Sequence, residues 1–212
     1  MAVYDLEEQE QIDEIKAWWK QYGNLVLLVA IAALLTVAGL RGWSYYQTKQ
    51  GLEAGELYVQ LQGAMGANDA KKAQDIAAVI TDRYKRTGYA AFAALAAAKI
   101  AADTGDLATA KSRLQWVIDN ARDDETKDIA RLRLAAVLMD EKNYDEALKL
   151  LDAKHIETFT ALYADLKGDA LAAQGKTEEA RAAYQTALDK SDSKSGYRAL
   201  VQVKLDALGA AK

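Results

Sequence analysis

The chain has 212 residues, a net charge of −4 and 27% charged residues, with one histidine, no cysteine and no proline. Without cysteine there is no disulfide framework, thiolate nucleophile or zinc–thiolate site, and one histidine cannot assemble a histidine metal cluster. The lack of proline and the scarcity of β-branched residues outside one apolar stretch favour helices throughout.

Residues 1–21 form an acidic segment that we expect to be an amphipathic helix. Its first 20 residues hold six carboxylates and two lysines. A cleaved signal peptide begins with basic residues, so this charge balance favours a retained anchor. We interpret the segment as a helix at the membrane interface, and docking on a membrane partner is the alternative.

Residues 22–43 are predicted to span a membrane. No charged side chain occurs from Gln21 to Leu40, and at ~1.5 Å per residue this helix covers roughly 30 Å, the hydrocarbon thickness of a bilayer. A buried helix of a soluble domain is the alternative, but aromatic and basic side chains flank the run at both ends, as at two headgroup layers. The predicted membrane-interface residues are Trp18, Trp19, Lys20, Tyr22, Arg41, Trp43, Tyr45 and Tyr46.

Residues 44–212 contain four related segments, each with a turn followed by an alanine. The alanines are 37, 37 and 33 residues apart, and an Ala/Leu-rich helical run precedes the later copies. This order of small residue, turn, alanine and large apolar residue is similar to the tetratricopeptide repeat, although its terminal proline is missing from every copy. The repeat alanines are Ala73, Ala110, Ala147 and Ala180.

These patterns predict an all-α fold. One N-terminal transmembrane helix is followed by an α-solenoid of tetratricopeptide-like hairpins and by a C-terminal capping helix. The predicted hairpins cover about 48–86, 88–121, 124–153 and 157–189, and the cap covers 192–208.

The turn residues predict where paired helices meet. Left-handed turns between the two helices of a hairpin are expected at Asn68, Gly105 and Gly175, and in the third copy at Asn143, which lies one place further along its repeat. Side-chain caps for the second helices are expected from Asp106, Asp145 and Thr177. A small residue is also expected where the first helix of a hairpin touches the second most closely, as at Gly168.

The first helices of the hairpins are expected to line a concave groove. The set is largely apolar and lacks the Lys/Asn/Arg arrangement that grips a peptide carboxylate, so we predict that it receives apolar segments, extended or helical. Alternatively, several of these residues pack inside the superhelix, including against the last helix. The predicted groove residues are Phe92, Leu95, Lys99, Ile129, Leu132, Ala136, Met139, Leu162, Asp165, Asp169 and Ala172.

No arrangement of side chains typical of catalysis is present. His155 has no second histidine or cysteine to work with and is expected at the surface. Carboxylate pairs such as Asp123/Asp124 lie at helix starts, where the macrodipole favours negative charge. Beyond the tail the chain is nearly neutral, which predicts no nucleic-acid partner. We expect no enzyme, cofactor, metal or small-molecule substrate.

The order of features resembles the ancillary SecYEG translocon subunit family of Gram-negative bacteria. It consists of an acidic tail with paired Trp18 and Trp19, an apolar span headed by Gly23 and Asn24, the segment 42–46, and residues 50–73 leading into hairpins. The resemblance covers essentially the whole chain. It implies an inner-membrane protein with a cytoplasmic N-terminus and periplasmic repeats, associated with the Sec translocon and periplasmic chaperones, and linked to an envelope stress regulator.

Two functions remain open at this point. The first is a membrane-tethered module, surrounded by lipid, that passes exported client polypeptides from the translocon to periplasmic chaperones. The second is a scaffold or regulatory adaptor that binds one folded partner. Charge does not orient the chain, because Lys16 and Lys20 precede the span while Arg41 and Lys49 follow it. Only the resemblance places the repeats in the periplasm.

Overall fold

The computed structural model describes residues 6–192 and 195–210, and this part of the chain is helical with no strand. Asp5 and the rest of the first five residues of the predicted tail, two residues of the predicted cap and the last two residues lie outside the described residues. The predicted all-α class is confirmed. The helices are α1 (Leu6–Gly66), α2 (Ala70–Arg83), α3 (Gly88–Asp103), α4 (Leu107–Asn120), α5 (Asp124–Asp140), α6 (Tyr144–Leu151), α7 (Thr160–Ala173), α8 (Thr177–Lys190) and α9 (Gly196–Ala210), with a 3₁₀ turn at Glu157–Phe159.

Helix α1 includes residues predicted as tail, membrane span and first repeat helix. It runs through all of them as one α-helix, which is consistent with the absence of the proline that would break it. The chain divides into two compact units between Gln50 and Gly51. The first unit therefore holds the apolar span and the second holds the repeats.

The repeat unit has three apolar clusters, each shared between neighbouring helices. The first joins Leu61 of α1 to Ile80 of α2 and to the alanines of α3. The second joins α3 and α4 to α5, α6 and α7, and the third joins α7, α8 and α9. The four repeat alanines all have 0% exposed surface, as close packing of tetratricopeptide-like hairpins requires.

The left-handed turns are confirmed in three of four hairpins. Asn68 has φ 56°, Gly105 has φ 80° and Gly175 has φ 76°. The third prediction is wrong by one residue, because Lys142 has φ 62° whereas Asn143 has φ −84°. The amide of Asn143 donates to the Leu138 carbonyl at 2.8 Å, which closes the end of α5 around Lys142.

The N-cap prediction is correct for the second hairpin. The Asp106 carboxylate accepts a hydrogen bond from the amide of Thr109 at 3.0 Å. Asp69 and Asp123 cap α2 and α5 in the same way. The hydrogen bonds from Thr109 favour the charged carboxylate and lower the pKa of Asp106 below its usual value.

The other two N-cap predictions are wrong. The N-cap residues of α6 and α8 are Asn143 and Lys176, and neither makes a side-chain capping bond. Asp145 and Thr177 lie inside the first turns of these helices instead. The Asp145 carboxylate accepts from the Gln174 side chain at 2.8 Å and so joins two successive hairpins.

Gly168 marks the closest approach of two paired helices. A Cβ atom at this position would lie 2.5 Å from the Tyr184 ring. The Tyr184 phenol also donates to the Asp169 carboxylate at 2.8 Å, which holds the ring in place. The predicted need for a small residue is therefore confirmed here.

We predict that Gly168→Ala destabilises the repeat unit by about 1–3 kcal/mol, because the added methyl group overlaps a ring that cannot move away. Chemical unfolding of the detergent-solubilised chain, followed by circular dichroism, measures this loss. Gly63→Ala is the matched control, since nothing lies within 4 Å of its added Cβ atom. Equal free energies of unfolding for the two variants would contradict the packing assignment.

Asp128 is a charged residue of α5 with 0% exposed surface. Its carboxylate accepts hydrogen bonds from Arg131 at 2.6 Å, from the Ile156 amide at 2.9 Å and from the Tyr163 phenol at 3.0 Å. These donors satisfy the buried charge, which would otherwise be costly. The carboxylate thereby ties the connection before α7, and α7 itself, to the preceding hairpin.

His155 belongs to this connection, so its predicted surface position is corrected. The ring is half-buried and stacks on Tyr163, with centroids 4.1 Å apart and planes 15° from parallel. Its Nδ1 atom lies 3.0 Å from the Ala153 carbonyl oxygen. The residue has a packing role between two hairpins because Asp128 holds the adjacent amide of Ile156.

Replacement of Tyr163 by Phe should lower the free energy of unfolding by about 1.5–3 kcal/mol, because the buried Asp128 carboxylate loses a donor. Burial, then the hydrogen bond to Asp128, raises the pKa of the Tyr163 phenol, so it remains a donor at neutral pH. Urea unfolding gives the measurement. The control is Tyr84→Phe, whose phenol binds the less buried Glu53 at 3.2 Å and should cost less. A smaller loss in Tyr163→Phe than in the control would refute the role of this bond.

Candidate protein-interaction face

We use the term first-helix face for the exposed side of α3, α5 and α7 together with residues 51–66 of α1. On α3, Phe92 is 47% exposed and Lys99 is also exposed. Leu95 is 7% exposed and packs in the core cluster with α4 and α5. Of the predicted groove residues on α3, Phe92 and Lys99 therefore lie open to a partner, and Leu95 supports the fold beneath them.

On α5 the predicted groove residues lie at the edge of the core. Ile129, Leu132 and Met139 are half-buried and pack against the cluster formed by α3 to α6. Ala136 is also half-buried, and it lines a crevice between α3 and α5. Each of these side chains has one part of its surface exposed to solvent and the other part packed against the core.

On α7 the last helix covers part of the predicted groove. Leu162 is 40% exposed, whereas Asp165 is buried and Asp169 is half-buried. The Lys204 ammonium of α9 binds Asp165 at 2.9 Å and Asp169 at 2.7 Å. The two carboxylates hold the cap in place, which matches the alternative in which some groove residues pack against the last helix.

Lys204 remains charged in this position. Burial acts to lower its pKa, but the hydrogen bonds to Asp169 and Asp165 and the charges of the two carboxylates outweigh burial and raise it. The Tyr197 phenol adds a bond from α9 to the Ala161 carbonyl at 3.3 Å. Ion pairs and a hydrogen bond from α9 therefore cover the α7 end of the first-helix face.

An aromatic cluster at the other end of the face was only partly predicted. The Tyr58 ring lies 5.5 Å from Tyr89 and 6.3 Å from Phe92, measured between centroids. Tyr89 is 38% exposed and lies over Gly55, whose added Cβ would be 3.3 Å from the ring. Of these three aromatic residues, only Phe92 is among the groove residues that the sequence predicts. The missed signal was Gly55 three residues before Tyr58, which leaves room for a ring from the next hairpin.

In the first unit, α1 exposes its apolar side chains on all sides. Leu28, Leu34 and Leu35 are 65–70% exposed, and 6% of the most apolar 18-residue stretch of α1 is buried. By length and composition, α1 is the one described helix that could cross a membrane. A core helix of a soluble domain would bury these residues, so the exposure favours a span.

Aromatic side chains cluster at each end of this apolar stretch. The Trp18 ring lies 6.4 Å from Trp19 and 5.7 Å from Tyr22, and the Trp43 ring lies 6.2 Å from Tyr46. The predicted interface residues Lys20, Arg41 and Tyr45 are exposed in the same two regions. Because the two aromatic clusters lie at opposite ends of the apolar stretch, their positions fit the two headgroup layers of a bilayer.

Fold and site together define a tetratricopeptide-like repeat protein, and proteins of this class are a non-catalytic kind of family. One of its described helices, α1, is apolar enough to cross a membrane. Within the described ranges, no group of three or more His, Cys, Asp or Glu side chains could hold a metal ion. The family model of the tetratricopeptide repeat-like domain matches residues 16–210. The solved structure "MamA 41-end from Desulfovibrio magneticus RS-1" shares the fold, with a TM-score of 0.56, 19% identity and coverage of 76% of this chain and 91% of that one.

Relatives of known name match nearly the whole chain. The ancillary SecYEG translocon subunit of Neisseria gonorrhoeae is 34% identical, over 96% of this chain and 98% of its own length. That of Escherichia coli is 31% identical, over 98% and 99%. This chain belongs to the ancillary SecYEG translocon subunit family. The family and the long apolar helix fit a single-pass protein of the inner membrane.

Proposed function

We propose that this chain is a membrane-anchored interaction module that acts beside the Sec translocon and helps pass exported polypeptides to periplasmic chaperones. Membership of the family supports a place at the translocon. The observation that carries the rest is the apolar, partly aromatic first-helix face, where Tyr89, Phe92 and Leu162 are 38–47% exposed. Exposed apolar surface of this kind is typical of sites that bind other polypeptides.

An unfolded exported chain is a suitable partner for such a face. It presents apolar side chains that lose contact with water when they meet the face, and each well-buried large side chain contributes about 1.5–3 kcal/mol. Individual contacts of this size are weak. A membrane anchor raises the effective concentration of the face around any partner in the same membrane, so weak contacts suffice.

Two exposed side chains give a direct test of client binding. We predict that Phe92→Glu combined with Leu162→Glu reduces photo-crosslinking to nascent exported chains about tenfold or more, because two apolar contacts become unfavourable. The crosslinker is placed at Leu132, between the two changes. The helical circular dichroism signal should be unchanged, since both side chains are partly exposed.

The matched control is Val79→Glu, since Val79 is 38% exposed but lies on α2, a second helix of a hairpin. It should leave client crosslinking at the wild-type level. Crosslinks to many unrelated exported chains support client binding. Crosslinks to one stoichiometric folded protein, unaffected by the double change, would instead establish the scaffold function.

The proposal places the repeats in the periplasm and the N-terminus in the cytoplasm. A C-terminal alkaline phosphatase fusion should therefore be active in cells, because this enzyme gains its disulfides outside the reducing cytoplasm. A fusion of the same enzyme to the N-terminus is the control and should be inactive. The reverse pattern would overturn the periplasmic assignment.

A further inference from the structure

Two crevices lie beside α3, and residues of α3 line both of them. The first has a volume of about 320 Å³ and lies between α3 and the α1–α2 turn, with Met65, Ala70 and Ile100 among its apolar lining. The second has about 310 Å³ and lies between α3 and α5, with Ala102 and Ala136 in its lining. Each crevice is large enough for one apolar side chain. Apolar residues make up half of the lining of the first crevice and most of the lining of the second.

One ion pair on α3 lines both crevices. The Lys99 ammonium lies 2.7 Å from the Asp103 carboxylate, and the two side chains are 59% and 61% exposed. An exposed pair of this kind contributes little to stability. Asp103 is also the last residue of α3, where the helix dipole disfavours negative charge, and a lysine that precedes its acid is the weaker order. Helix stability therefore does not explain this pair.

The ion pair is well suited to contact a polypeptide backbone. Lys99 can donate to a carbonyl oxygen, and Asp103 can accept from an amide N–H. Backbone amides occur in every sequence, so such contacts do not select particular side chains. The apolar crevices on either side would supply the remaining affinity.

The distance between the crevices suits an extended chain. Neighbouring packed helices lie about 8–10 Å apart, so crevices on the two sides of α3 are separated by about one such spacing. An extended polyproline-II segment rises about 3.1 Å per residue and repeats its face every three residues, which places side chains i and i+3 about 9 Å apart. Side chain i would then enter one crevice and side chain i+3 the other.

The charge around the second crevice favours an acidic residue in the bound segment. Arg133 lines it and makes no ion pair with the described carboxylates. Lys99 and Asp103 neutralise each other, so Arg133 leaves this crevice positive. A carboxylate that follows the second apolar side chain would complement it.

We propose that the Lys99–Asp103 pair and its two flanking crevices bind an extended segment of unfolded polypeptide. Such a segment has two apolar side chains three residues apart and an acidic residue after the second. This inference rests on the proposed function and specifies the kind of client segment that the first-helix face takes.

The test uses the full chain in nanodiscs of phosphatidylethanolamine and phosphatidylglycerol, and short fluorescein-labelled peptides in a Ser/Asn background. The first peptide has leucines at i and i+3 followed by Asp, and the second has the same composition with adjacent leucines. Fluorescence polarisation should show about tenfold tighter binding of the first peptide, because only its two leucines reach both crevices.

Variants locate the site. Ala102→Leu with Ala136→Leu fills the second crevice and should weaken binding of the first peptide about tenfold, removing the spacing preference. Ala108→Leu, at an exposed alanine of α4, is the control. Lys99→Gln with Asp103→Asn should weaken both peptides alike. Its control is Lys190→Gln with Glu157→Gln, an exposed pair at 3.3 Å elsewhere in the repeat unit.

The outcomes separate this inference from the function on which it rests. Equal binding of the two peptides, or unchanged binding by the crevice-filled variant, overturns the inference. If client crosslinking still depends on Phe92 and Leu162, the proposed function stands in that case. If that crosslinking is also unaffected by the Phe92 and Leu162 changes, both are overturned.

Discussion

Close approach between neighbouring helices is the constraint on which the repeat unit depends. The four repeat alanines are fully buried, and the Tyr184 ring occupies the space that a side chain at Gly168 would need. Small residues let each helix bury its apolar side against the next, and close packing then gives the three apolar clusters that neighbouring helices share from α1 to α9. The core uses one side of each first helix, and parts of the other side stay exposed, as at Phe92 and Leu162.

The two ends of the first-helix face differ because different side chains close them. At the α1 end, Tyr58, Tyr89 and Phe92 form a partly exposed aromatic cluster. At the α9 end, Lys204 binds Asp165 and Asp169, so polar contacts cover α7. The exposed rings of Tyr89 and Phe92 therefore lie on α3, the helix whose residues also line both crevices. This asymmetry supports the proposed binding of a partner near α3.

Buried polar groups set the order between hairpins where apolar packing alone would leave it loose. Asp128 satisfies its charge with donors from three places in the chain, including the amide of Ile156. The connection between α6 and α7 is the part of the repeat unit with a 3₁₀ turn, and α6 has eight residues. A hydrogen-bonded carboxylate can hold such a connection because its geometry is directional.

The sequence by itself determined the all-α class, the apolar span, the repeat alanines and three of the left-handed turns, because these depend on local periodicity and on residues with special backbone freedom. It also named Phe92 and Leu162, which lie exposed on the first-helix face. Tertiary structure alone decided that Leu95 is core, that Asp165 holds the cap, and that Asp128 and His155 join two hairpins. These roles depend on partners 28 or more residues away or on neighbouring helices, and helical spacing carries no information about such contacts.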